Sequence, residues 1–162
     1  MALSYVGRFA TSRAKLLSYL NRKIRERGWE GGGEPDAAAV AERLVRLGYV
    51  DDAAFALSKA RTLTARGYGA GRVRQSLHAA GIGEKDGAGA RDLAAAGAVA
   101  AALKFAQRRG LGPFAAQDCN QHGRGKALSA MVRAGHGFAL AKAIVSLAPG
   151  AEVDEEWLAQ IR

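Results

Sequence analysis

The adjacent carboxylates Asp51 and Asp52 are the first candidates for chemistry in this chain, and they follow the stretch Arg46–Val50 (RLGYV). Two neighbouring acids could work as a general acid and base, but no histidine or third carboxylate lies near them in sequence. Aspartate is strongly preferred at helix N-caps, where its charge also meets the positive end of the helix dipole. The sequence therefore predicts helix caps here, and a catalytic role is the weaker interpretation.

The other reactive residues do not form a metal or nucleotide site. Cys119 and His122 offer two ligands, whereas a structural zinc ion needs four, and the remaining histidines are distant in sequence. Cys119 has no partner for an internal disulfide and no arranged base. The segment 123–126 (GRGK) lacks the full phosphate-loop pattern, and no strand is predicted before it. We expect no catalytic residue, no metal ion and no cofactor, and an enzyme is the least supported class of function.

Charge is the stronger signal, because 24 Lys and Arg residues stand against 15 acids, a net charge of +9. The basic residues concentrate in segments 1–29, 59–82 and 104–142, while segment 30–58 and the tail 151–161 are acidic. A single exposed cation is usually only part of a solvated helix face. Three basic segments in succession instead favour a partner that is a polyanion or carries an acidic surface.

Apolar residues follow a helical period through most of the chain, which predicts an all-α protein. Val40, Leu44 and Leu47 are predicted to form the inner face of a helix over 37–47, and Phe55 and Leu63 that of the next helix. The stretch 90–109 is predicted to be two helices broken near Gly97, and 110–125 is predicted to be a loop. The N-terminal residues do not resemble a signal peptide and no run of about 20 apolar residues occurs, so we expect a cytoplasmic protein.

An internal repeat organises these helices. The pattern of two apolar residues spaced by four, followed four residues later by glycine, ends at Gly28, Gly81 and Gly135, which are 53 and 54 residues apart. Each copy is a short basic helix between other helices. We predict three tandem three-helix repeats in an elongated, curved array, with repeat 1 at 1–50 (its first helix short), repeat 2 at 51–96, repeat 3 at 97–150 and an acidic tail at 151–162.

The segments RLGYVDDAAFA (46–56) and ARGYGAGRVRQSLHAAGI (65–82) resemble the RecX regulators of the bacterial recombinase RecA. TSRAKLLSYLNRKIRERGW (11–29) is similar to the first repeat of that family. The resemblance implies a non-enzymatic regulator of recombination and DNA repair, within the SOS response, that binds the groove of the RecA–DNA filament and opposes its ATPase and strand exchange. Its implied partner is the RecA filament, with secondary DNA contacts, no membrane and no small-molecule ligand, and the chain is expected to be a monomer.

The basic residues of the repeated helices and their turns are the candidates for facing the filament or its DNA: Lys15, Arg22, Arg25, Lys59, Arg61, Arg66, Arg72, Arg74, Arg124, Lys126 and Arg133. The predicted structural caps are Gly28, Gly48, Asp51, Asp52, Gly67, Gly81 and Gly135. The alternative is a stand-alone basic nucleic-acid-binding protein of the helix-turn-helix type, because three-helix units with a basic helix also describe those modules.

Overall fold

The structure, a computed structural model, describes residues 1–161, and all regular structure within them is helical. A short 3-10 turn, Gly112–Phe114, follows the seventh helix. In chain order the α-helices are α1 (Ala2–Val6), α2 (Arg13–Arg27), α3 (Ala37–Arg46), α4 (Asp52–Ala65), α5 (Ala70–Ala79), α6 (Glu84–Ala96), α7 (Ala98–Arg109), α8 (Gln121–Arg133), α9 (Phe138–Ser146) and α10 (Glu155–Ala159).

Glycine ends five of the helices within residues 1–161 in the same way. At Gly48, the amide of the next residue, Tyr49, donates to the carbonyl of Leu44, and the glycine amide donates to Val45. This paired pattern requires a left-handed residue that glycine adopts without strain. The pattern recurs at Gly67, Gly81, Gly110 and Gly135, all with positive φ.

The interior consists of three successive clusters rather than one centre. The first joins α2 and α3 around Leu16 and Leu44. The second joins α4, α5 and α6 around Val73 and small alanines, and the third surrounds Met131. We refer to α1–α3, α4–α6 and α7–α9 as units 1, 2 and 3. The division of the chain at residues 50/51 and 96/97 stays a prediction.

The surface area agrees with an extended arrangement of these units. The chain exposes 10247 Å², about a third more than the ~7,700 Å² expected for a compact monomer of 16.9 kDa. The three successive clusters and this extended surface confirm the tandem helical repeat predicted from the sequence, and the curvature of the array stays a prediction.

Several local predictions were wrong. Helix α6 begins at Glu84 instead of residue 90, and α8 begins at Gln121, inside the stretch expected to be a loop. Asn120 makes this earlier start possible, because its side chain accepts from the amide of Gly123 as an N-cap. Val40 and Leu47 were expected to be buried in α3, yet they are 43% and 59% exposed.

Alanine explains the error in α3. Ala37, Ala41 and Leu44 form the buried stripe against α2, so Val40 and Leu47 lie outside it. Helix α4 also buries small residues in place of a large one: Ala56 and Ala60 are buried, and Phe55 is only partly covered. Small residues bring helix axes close together, and α4 accordingly packs most extensively on α6.

The acidic tail is not separate from the third unit. Its residues 155–159 form α10, which is capped by Asp154 and packs on α7. Leu158 is buried in the third cluster, and Trp157 remains 46% exposed. Leu158 holds this turn to unit 3, and Val153 and Ile161 are partly buried against the same cluster.

Candidate basic interface at the unit junctions

The two junctions between units join equivalent helix positions through different donors. Ser12, the N-cap of α2, donates from Oγ to the carbonyl of Ala80 at the end of α5, at 2.5 Å. Gly69, the N-cap of α5, donates its amide to the carbonyl of Ala134 at the end of α8, at 3.0 Å. The end of one unit's second helix therefore meets the start of the preceding unit's second helix. The three basic helices α2, α5 and α8 are joined end to start.

Glycines permit this close approach. Gly135 has φ +93°, and its carbonyl accepts from the amide of Gly71 at 2.9 Å. A Cβ at Gly135 would overlap the backbone nitrogen of Arg72, and one at Gly81 would overlap the Cβ of Ala14. Gly81 and Gly135 are two of the recurring glycines of the sequence pattern. Each ends a basic helix and also packs directly against the neighbouring unit.

Asp51 and Asp52 divide the capping between two helices. Asp51 accepts from the amide of Ala54 and caps α4, at 2.8 Å. Asp52 accepts from the amide of Arg13, the first residue of α2, at 2.8 Å. Asp52 therefore holds unit 1 to unit 2, although it lies inside α4. Both carboxylates accept from backbone N–H groups at helix starts; the contact of Asp52 with α2 was not anticipated, because the sequence indicated a cap on the helix that follows.

A lysine pair lies at the junction of units 1 and 2. Lys15, the third residue of α2, places Nζ 5.4 Å from the ring centroid of Phe55 in α4. Lys59, one turn further along α4, places its Nζ 5.9 Å from the same centroid. We name Lys15 and Lys59 the lysine pair. The aromatic ring between them offsets part of their mutual repulsion through cation–π attraction.

An arginine groove of about 350 Å³ lies at the junction of units 2 and 3. Arg72, the third residue of α5, places its Cζ 5.9 Å from the ring centroid of Tyr68. Arg108 and Arg109, at the end of α7, lie 5.7 and 5.8 Å from the ring centroid of Phe105. Four arginines line the groove and define it below: Arg72, Arg108, Arg109 and Arg133.

The arginines of the groove are held by backbone, aromatic and amide contacts instead of by carboxylates. Arg72 donates from Nη1 to Oε1 of Gln75 at 2.8 Å. Arg108 donates from Nη1 to the carbonyl of Arg66 at 2.7 Å. The ion pairs within residues 1–161 join Arg13 to Glu42, Arg22 and Lys23 to Glu26, Arg91 to Glu84, and Arg124 to Asp118. Within that range, neither the lysine pair nor the arginine groove has an acidic partner.

His136 is a buried residue that links the two sides of the same junction. It is buried, its Nε2 lies 3.1 Å from the carbonyl of Gly67, and its ring lies 5.4 Å from that of Phe105. Burial lowers the pKa of His136, and the hydrogen bond to the Gly67 carbonyl opposes this only in part. The neutral imidazole, donating from Nε2, is the form that fits this site.

Some of the basic residues predicted from the sequence lie together. Lys15 and Lys59 form the lysine pair, and Arg72 and Arg133 line the arginine groove. Arg66 contributes its carbonyl to Arg108. Lys126 lies two turns before Arg133 along α8, and both border a neighbouring open cleft at the start of that helix.

The other predicted residues do not join these clusters. Arg22 lies 3.7 Å from Glu26, and Arg124 pairs with Asp118 at 2.8 Å, which raises the pKa of Arg124 and lowers that of Asp118. Arg74 lines a different, mostly apolar groove, as ~100° per residue requires of a position two residues from Arg72. The two remaining predicted residues are exposed and make no ion pair within residues 1–161; they are Arg25 and Arg61.

Two residues of the arginine groove were missed, Arg108 and Arg109. The signal was present, because Arg108–Gly110 reads as a basic helix closed by glycine, like the three repeats.

The part of the chain that the structure describes was also searched for metal sites, cysteine pairs and membrane spans. No group of three or more His, Cys, Asp or Glu in residues 1–161 could hold a metal ion, and Cys119 is exposed. Over the same residues, no helix is both long and apolar enough to cross a bilayer.

Known proteins identify the repeat. Residues 51–88, which include α4 and α5, match the family described as RecX, second three-helix domain. The regulatory protein RecX of Myxococcus xanthus is 32% identical over 158 residues, which cover 91% of this chain and 83% of that protein. The chain belongs to the RecX family.

A solved structure supports the same assignment at the level of the fold. The crystal structure of RecX from Lactobacillus salivarius superposes with a TM-score of 0.61 over 89% of each chain, at 19% sequence identity. At that identity the likeness concerns the fold alone. The expected membership in the RecX family and the expected all-helical repeat are both confirmed.

Proposed function

We propose that this chain is a non-enzymatic regulator of RecA that lies in the groove of the RecA–DNA filament and restrains ATP hydrolysis and strand exchange. Membership in a family whose relative is named a regulatory protein supports regulation. The proposal places the protein in the cytoplasm as a monomer, with no cofactor, membrane or small-molecule ligand required.

The observation that most supports this proposal is the end-to-start joining of α2, α5 and α8. A filament presents the same surface at regular intervals, and an array with equivalent junctions can contact successive protomers through equivalent residues. Both junctions are built from the same pair of positions, the start of one second helix and the end of the next. The unpaired cations at these junctions add attraction toward a polyanionic or acidic partner.

Restraint follows if the chain binds one filament state more tightly than another. Contacts that span adjacent protomers would favour the state whose spacing fits the array, and the hydrolysis cycle would then stall in that state. A chain bound at a filament end could lower activity by blocking growth instead. These two routes differ in whether an assembled filament responds.

A titration into a RecA ATPase assay with single-stranded DNA tests the proposal. The salt concentration is first set so that this protein no longer binds bare DNA. We expect hydrolysis to fall at fewer than one protein per RecA protomer. Unchanged hydrolysis at one protein per protomer would refute the proposal. A fall seen only at low salt and in proportion to the DNA covered would support a stand-alone nucleic-acid-binding protein.

Order of addition separates the two routes. If the chain restrains assembled filaments, it suppresses hydrolysis when added after assembly as well as before. If it blocks growth, suppression is prompt only when the chain is present during assembly.

A further inference from the structure

We propose that the apolar groove at the junction of units 2 and 3 binds a segment of a partner protein in which a carboxylate lies beside large apolar side chains. This assignment rests on the proposed function, under which the partner is RecA, and it adds the surface of this chain and the chemistry of the contact. The apolar groove is defined by Arg74 of α5 and by apolar residues of α8, α9 and the tail, which are Val132, Phe138, Leu140 and Ile161.

The apolar groove and the arginine groove share no lining residue. The apolar groove has a volume of about 770 Å³. Among its lining residues, which all lie within residues 1–161, Arg74 alone has a permanent charge, and burial keeps His136 neutral by lowering its pKa. A surface with one cation among apolar side chains gains affinity mainly by removing apolar area from water. That property suits a protein partner better than a polyanion.

The internal repeat shows that the fold does not require these apolar side chains. Three residues before the recurring glycine, units 1 and 2 have Arg25 and His78, whereas unit 3 has Val132. Three residues after it, α6 begins with Glu84 and α9 begins with Phe138. All of these positions are exposed, Val132 by 42% and Phe138 by 61%. Unit 3 therefore presents two large apolar side chains to solvent where the equivalent residues are polar, which is typical of an interaction surface.

Arg74 determines what the partner must carry. It is exposed and makes no ion pair within residues 1–161. A partner that covers the groove removes water from the guanidinium group, and the charge is then costly unless a carboxylate pairs with it. Arginine and a carboxylate pair through two parallel hydrogen bonds, which also fix the orientation of the bound segment. The segment that complements the groove therefore has an acidic residue next to one or more large apolar residues.

The open edge of the groove favours a protein segment over a small molecule. Sites for small ligands enclose most of the ligand surface, whereas Phe138 and Val132 leave this groove open to solvent. The other large apolar side chains of the lining are aliphatic, so they offer no aromatic platform for successive nucleotide bases. A protein surface can cover the open edge and the interior together.

Two variants change the groove one property at a time. Phe138→Ser removes the exposed aromatic ring, and Arg74→Gln removes the charge but keeps a polar side chain. Each is titrated into the RecA ATPase assay with single-stranded DNA, at the salt concentration where the wild-type chain no longer binds bare DNA. Truncation of a central interface residue weakens binding by about 10-fold or more. We expect the concentration for half-maximal inhibition to rise by at least about that factor in each variant.

The matched controls lie at the end of α3 in unit 1. Leu47 is 59% exposed, close to the value for Phe138, and Arg46 is exposed and makes no ion pair within residues 1–161. Leu47→Ser and Arg46→Gln repeat the two chemical changes away from the groove, and the half-maximal concentration is expected to stay within about 2-fold of the wild-type value.

Phe138→Glu is a further groove variant that the fold should tolerate, because unit 2 has Glu84 at the equivalent position. It places a negative charge where the partner is acidic, so its inhibition should be at least as weak as that of Phe138→Ser. The far-ultraviolet circular dichroism spectrum and the urea midpoint of each variant establish that it is folded.

The same titration separates this inference from the proposed function. If the wild-type chain inhibits RecA and folded groove variants inhibit equally well, the inference is overturned and the proposed function holds. If the wild-type chain does not inhibit RecA, both fail. A loss confined to Arg74→Gln would also overturn the inference, because charge alone would then account for the contact.

Two measurements without RecA address other occupants of the groove. If Phe138→Ser weakens binding of bare oligothymidylate at low salt as much as it weakens inhibition, the groove binds nucleic acid. If sedimentation velocity shows self-association that Phe138→Ser abolishes, the groove binds a second copy of this chain. Either result would overturn the inference, and unchanged values in both measurements support it.

Discussion

The substitution Gly135→Ala tests whether the junctions hold the array together. Gly135 has φ +93°, and Gly48 has φ +75°. Alanine in this region costs about 1–2 kcal/mol at either position, because its Cβ approaches the following carbonyl. A Cβ at Gly48 meets no atom within 4 Å, so backbone strain is its whole cost. Gly48→Ala is therefore the matched control.

At Gly135 the added Cβ would overlap the backbone nitrogen of Arg72, so the start of α5 must move away from the end of α8. That movement breaks the hydrogen bonds from Gly71 to Gly135, at 2.9 Å, and from Gly69 to Ala134, at 3.0 Å. Each is worth about 0.5–1.5 kcal/mol. We expect Gly135→Ala to lower the free energy of unfolding by about 2–5 kcal/mol, which is about 1–3 kcal/mol more than Gly48→Ala.

Urea unfolding followed by circular dichroism at 222 nm measures both variants. A lower midpoint with an unchanged dependence on urea would mean that the folded array itself is destabilised. If the two alanine variants are equally stable, the junction contributes nothing to the free energy of unfolding, and the role given to Gly135 is wrong.

Two further predictions concern side chains that hydrogen-bond to the backbone. Burial lowers the pKa of His136 in the folded chain, so protonation favours unfolding, and stability present above the unfolded pKa of about 6.5 is lost as pH falls toward the folded value. The urea midpoint should decline at acidic pH, and His136→Gln should decline less; an identical decline would refute this cause. Asp51→Ala and Asp52→Ala should each cost about 1 kcal/mol through a lost backbone hydrogen bond, while Asp52→Asn keeps the acceptor and most of the stability. Thermal unfolding compares the three, and a neutral Asp52→Ala would contradict its contact with Arg13.

The fold was predictable because its signals are local. Glycine after each basic helix, aspartate before α3 and α4, and a helical apolar period are all read within a few residues. Errors arose where alanine replaced larger residues in the interior. Val40 and Leu47 appeared to be core residues by type, but Ala37 and Ala41 occupy the face that packs on α2. In an alanine-rich chain, hydrophobicity alone does not decide which face is buried.

The interface was less predictable because it depends on contacts between distant segments. Ser12 and Ala80 are 68 residues apart, and their hydrogen bond fixes which helix ends meet. The sequence indicated basic helices, yet it could not show that Lys15 and Lys59 both approach the ring of Phe55. It also could not show that Arg124 is neutralised by Asp118 while Arg133 is not. Net charge in a segment gives the sign of an interaction, and only packing selects the residues available for it.

The thin alanine cores and the charged junctions have a common consequence. Units 1 and 2 bury few large side chains, so their stability depends on the neighbouring units, as in other repeat arrays. The junctions that supply this support also carry the unpaired cations. A polyanion bound across a junction would relieve the repulsion there and hold the units in one arrangement. Binding and stiffening of the array are therefore expected to be coupled, because both act on the same few contacts between helix ends.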